Sequence, residues 1–132
     1  MQDKRYYSVS YDERNYPEIK MLRRKHGGII AYGRWETLKQ LLYGTQGALN
    51  LNNGFHVDLM LEELEFDNGE ELESFLSTCA GCGLIDLSAY ERDMIISPEV
   101  AENLAFIKAK SDAGKASAEA RKHKREQEKE KK

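Results

Sequence analysis

Between Ile29 and Tyr43 the apolar residues Ala31, Trp35, Leu38 and Leu42 recur at i, i+4, i+7 and i+11, the spacing of one face of a helix. Tyr32 and Leu41 widen that stripe, and Gly44 and Gly47 stop it. A helix with so large an apolar face must bury it against other elements, so the rest of the chain has to supply them. At 132 residues and 40% apolar content, the chain has material for one such core.

The other elements follow from spacing and breakers. Tyr6-Tyr7-Ser8-Val9-Ser10-Tyr11 alternates and reads as a short strand or an extended arm. Asn15 offers an N-cap and Pro17 a first turn for a helix to about Lys25 that buries Ile19 and Leu22, and Gly27-Gly28 end it. Ala48-Leu49-Asn50-Leu51 reads as a strand closed by Asn52-Asn53-Gly54. A helix over Val57 to Glu65 and another over Glu70 to Ala80 flank Asp67-Asn68-Gly69, a helix-turn-helix pattern. Leu84-Ile85-Asp86-Leu87 and Asp93-Met94-Ile95-Ile96 read as the two arms of a hairpin with Tyr90 and Arg92 at its tip. Ser97 and Pro98 then open a last helix with Val100, Leu104 and Ile107 on one face. The order predicts a mainly α protein with a small β-sheet (α+β), a winged helix-turn-helix over 1–109 with a C-terminal helix. A flexible charged tail or linker over 110–132 has too few aliphatic residues for a core of its own.

Charge is laid out in blocks. Residues 1–39 hold nine basic against five acidic residues, and 108–132 hold ten against five. Between them, residues 40–107 hold one basic residue, Arg92, against thirteen acidic ones. Basic ends around an acidic block suit a nucleic-acid contact at the ends, or pairing between parts of the chain. The apolar runs are too short to span a bilayer. Met1-Gln2-Asp3-Lys4-Arg5 lacks a secretory signal, and two cysteines build no disulfide framework, so the cytoplasm is the expected compartment.

Several segments resemble a known family. Tyr6 to Asp12, Asp58 to Leu64 and Gly83-Leu84-Ile85-Asp86-Leu87 look like the N-terminal domain of prophage replication-initiator-like proteins, relatives of the DnaD-type primosomal proteins. Ala31-Tyr32-Gly33-Arg34-Trp35 is similar to that family's second helix, and Lys110 to Ala118 resembles its polar linker. The resemblance spans roughly residues 6–118 and implies a winged helix in phage or plasmid replication initiation. The implied roles are DNA binding, self-association, or contact with a helicase or its loader. Fuller relatives continue into a second helical domain where this sequence turns to charge.

Candidate DNA contacts are Lys20, Arg23, Arg24 and Lys25 on the first helix, where 20, 23 and 24 share a face. The bland alternative is a solvated face paired with Glu13, Glu18 and Glu36. Tyr90 and Arg92, and Lys115, Arg121, Lys122, Lys124 and Arg125 of the tail, complete the set. The expected recognition helix instead presents Glu70, Glu71 and Glu73, which repel phosphates and suit a protein partner or a second copy.

Cys79-Ala80-Gly81-Cys82 sits at a helix C-terminus with no paired histidines, so Cys79 is expected in the core and no metal is assigned. No nucleophile–base set or phosphate loop is legible, so a binding module with no cofactor is expected and not an enzyme. The two functional readings are a DNA-binding or primosome-assembly module, and a protein-interaction or self-association scaffold using helix 70–80 without direct DNA binding.

Overall fold

The computed structural model describes residues 11–112. The strand expected over 6–11 lies outside them except for Tyr11, which sits in a turn. The tail beyond 112 lies outside them as well. A 3-10 turn, Glu13–Asn15, leads into α1, Pro17–Lys25. Asn15 closes that turn and does not cap α1; the N-cap is Tyr16, with Pro17 at the first helical position. There follow α2 (Ile29–Gly44), β1 (Leu49–Asn50), α3 (Gly54–Glu63), α4 (Gly69–Gly81), α5 (Leu87–Tyr90) and β2 (Met94–Ile95). A last helix, α6, runs over 98–112, to the end of the described residues.

The α2 stripe forms the centre of the core. Ala31, Trp35, Leu38 and Leu42 are buried with Ile19 and Leu22 of α1, Met60 of α3, and Phe75 and Leu76 of α4. Leu49, Ile95 and Val100 close it from the sheet and α6. Two asparagines set where α3 and α4 begin: the Asn53 side chain accepts from Phe55 and His56 N–H, and that of Asn68 from Glu71 N–H. Each satisfies donors a helix start leaves open. Asn53 therefore begins α3 three residues before the sequence spacing predicts.

The predicted hairpin is not there. Leu84 and Ile85 N–H both donate back to the Cys79 carbonyl, winding the chain off the end of α4. Asp86 then caps a helical turn by accepting from Ala89 N–H at 2.8 Å. Of this first arm, Asp86 N–H reaches the second, donating to Ile96 at 2.8 Å. β2 pairs with β1 instead, antiparallel, with Leu49 opposite Ile95 and Asn50 opposite Met94. The described residues thus form a mainly helical fold with a small two-stranded antiparallel sheet. No helix among them is long and apolar enough to cross a membrane.

Candidate functional site

The basic surface belongs to α1. Burying Ile19 and Leu22 turns Lys20, Arg24 and Lys25 outward, and all three are exposed. Lys20 and Arg24, one turn apart, lie on the same side of the helix. Among the described residues no carboxylate pairs with any of the three. Arg23 departs from the expected face: it is half-buried, and its Nη1 leans to the Arg14 carbonyl at 3.4 Å.

Two of the three carboxylates expected to neutralise α1, Glu13 and Glu36, are engaged elsewhere, while the third, Glu18, lies half-buried on α1 itself. Lys39 is fully buried on α2, and its ammonium meets Glu13 at 2.5 Å, Glu36 at 2.9 Å and Glu99 at 3.1 Å. It also lies 5.6 Å from the Trp35 ring centroid. Burial alone would lower the lysine pKa, but the bonds to Glu13, Glu36 and Glu99 outweigh it and hold it above its ordinary value. Glu13 is itself buried, yet its bond to that ammonium keeps its carboxyl below the usual range. Glu36 is pushed up, by burial and then by Glu13 beside it. Tyr32 donates to Glu13 at 3.3 Å, and burial with the two nearby carboxylates raises its phenol to about 12. This cluster ties the 3-10 turn, α2 and α6 together, and it removes Glu13 and Glu36 from the α1 surface. Spacing carries a signal for it: Lys39 stands four residues after Trp35 and three before Leu42, a charge placed in an apolar stripe.

The acidic surface belongs to α4. Leu72, Phe75, Leu76 and Cys79 turn inward, leaving Glu70, Glu71 and Glu73 exposed. Beside it opens a cleft of about 410 Å³ lined by Leu51, Val57, Gly69, Leu72, Glu73, Leu76, Tyr90 and Asp93. Tyr90, expected at a hairpin tip, is the last residue of α5 and lines this cleft half-buried. Its hydroxyl donates to the Glu73 carbonyl at 3.4 Å. Arg92 is exposed in the following turn. The tail candidates Lys115, Arg121, Lys122, Lys124 and Arg125 lie outside the described residues.

One side chain ties α1 to α4, and another ties α2 to the end of α3. His26, at the end of α1, shares a 2.8 Å hydrogen bond with the Thr78 hydroxyl of α4 and meets the Phe75 ring edge-on. Because the Thr78 hydroxyl donates to Ser74 at 3.2 Å, the histidine is assigned as the Nε2–H donor. Arg34 of α2 closes the end of α3, its Nε donating to the Leu64 carbonyl at 2.8 Å and its Nη2 to Glu65 at 2.7 Å. Its guanidinium also stacks 4.0 Å over the Phe66 ring.

Cys79 is buried, and burial drives its thiol pKa well up; the Cys82 thiol is raised by the same cause. Both shifts disfavour the thiolate that redox or metal chemistry needs. Compared with protein-family models, with curated proteins and with solved structures, the chain finds no match.

Proposed function

We propose that this chain is a helix-turn-helix-type binding module of phage-type DNA replication initiation, a winged-helix relative with the α5 turn in place of the wing's first strand, holding DNA through α1 and a protein partner through α4. The observation that carries the reading is the segregation of charge on the folded surface. Lys20, Arg24 and Lys25 face solvent with no carboxylate paired to them among the described residues, while Glu70, Glu71 and Glu73 stand exposed on another helix. A row of unneutralised cations attracts a phosphate backbone, and it does so without reading base edges.

Support also comes from the α3–α4 pair, joined by a short turn at Asn68, and from the resemblance of Tyr6 to Asp12 and Gly83 to Leu87 to prophage replication-initiator-like proteins. The acidic face of α4 favours a protein over the major groove, either a second copy of the chain or a replication protein such as a helicase or its loader. This is a role in assembly and not in catalysis.

The test is fluorescence anisotropy of labelled DNA across a salt series. Three phosphate contacts predict a loss of roughly 40-fold in affinity between about 50 and about 200 mM salt. A complex indifferent to salt, or no complex, contradicts the reading.

A further inference from the structure

We propose that the cleft beside α4 receives the protruding end of α6 from a second copy of the chain, joining copies head to tail. α6 is fastened to its own body in its first half. Glu99 pairs with Lys39, Val100 is buried, Asn103 donates to the Tyr43 hydroxyl at 2.8 Å, and Leu104 packs on Gly47. From 105 to 112 every residue is exposed. Phe106 is 67% exposed and Ile107 45%. A helix that leaves its body carrying adjacent large apolar side chains presents surface that is stabilised by a partner. Lys110 lies one turn beyond Phe106, on the same side.

The cleft has the complementary chemistry. Leu51, Val57, Leu72 and Leu76 give it apolar walls, and Glu73 and Asp93 supply carboxylates at its edge. Among the described residues neither carboxylate pairs with a cation; Asp93 accepts from the Asn52 amide at 3.4 Å. Phe106 and Ile107 fill the apolar part while Lys110 meets the acidic edge. A hydrophobic anchor ringed by opposite charge is the usual anatomy of a specific contact. Because the knob and the cleft are different surfaces, the contact is heterologous and propagates into chains or a ring. The proposal rests on the protein-docking half of the proposed function and names its partner. It does not involve DNA, so its test separates from the DNA titration.

The experiment is sedimentation velocity of the full chain without DNA, from low to hundreds of micromolar, with circular dichroism to verify folding of the variants. The expected result is an average mass that grows with concentration and falls to monomer in Phe106→Asp/Ile107→Asp. Glu73→Lys and Lys110→Glu each weaken association at least about tenfold, and the two combined in one chain restore it. All four positions are exposed, so folding is expected to persist. A monomer at every concentration, as when the cleft serves a different protein, overturns the proposal. So does association that survives the Phe106/Ile107 change, or that Glu73→Lys leaves unaltered.

Discussion

The Lys39 ammonium lies 2.5 Å from the Glu13 carboxylate, and both side chains are shut off from solvent. Charges taken out of water are costly, and they are tolerated because each compensates the other. Lys39→Met strands the Glu13 carboxylate in the core. Denaturant unfolding is expected to show a loss of about 3–5 kcal/mol. Lys39→Met/Glu13→Leu is expected to recover a large part of that loss, since a well-packed apolar replacement removes both charges together.

His26 makes stability depend on pH in a definite direction. Burial first, then the Lys25 and Arg34 charges, lower its pKa from the ordinary 6.5. The unfolded chain therefore takes up the proton more readily than the folded one. The stability this group contributes is complete above 6.5 and is lost as the pH falls through the lowered folded value. Thermal melts of His26→Gln are expected to show a shallower decline on acidification than those of the parent chain.

Arg34 serves α3 through a fork, not merely through its charge. Arg34→Ala leaves the Leu64 and Glu65 carbonyls without their charged donors, and a cost of about 2 kcal/mol in unfolding free energy is expected. Arg34→Lys is expected to recover little of it, because a single ammonium cannot reproduce two parallel bonds and a stacked plane.

Gly47 turns the chain out of α2 at φ +98°, its N–H donating back to the Leu42 carbonyl at 2.7 Å. An added Cβ would stand 3.2 Å from Leu104 Cδ1. Backbone strain and that contact act together, so Gly47→Ala is expected to cost about 1–3 kcal/mol in denaturant unfolding. The loosened element is α6.

The helices were legible because their apolar residues keep helical spacing: Ala31 to Leu42, and Leu72 to Cys79, bury the faces their spacing predicts. The strand expected over Leu84 to Leu87 is absent because a short apolar run fits a capped turn as well as a strand. Asp86 decides for the turn through a bond to Ala89, three residues on. The Lys39 cluster was hidden for a different reason. Its partners Glu13 and Glu99 lie 26 and 60 residues away, and spacing along one helix cannot identify them. The basic α1 face was visible in part: Lys20, Arg24 and Lys25 are exposed as expected, whereas Arg23 turns toward Arg14.

If α1 carries the DNA contact, charge reversal on that helix removes it. Anisotropy of labelled single- and double-stranded DNA is measured at low salt with the full chain and with Lys20→Glu/Arg24→Glu. Both positions are exposed and make no ion pair among the described residues, so the fold is expected to persist. Binding by the parent chain is expected, with a loss of at least about a hundredfold in the variant and a shallower salt slope for what remains. Equal binding by both chains, or none by either, contradicts it.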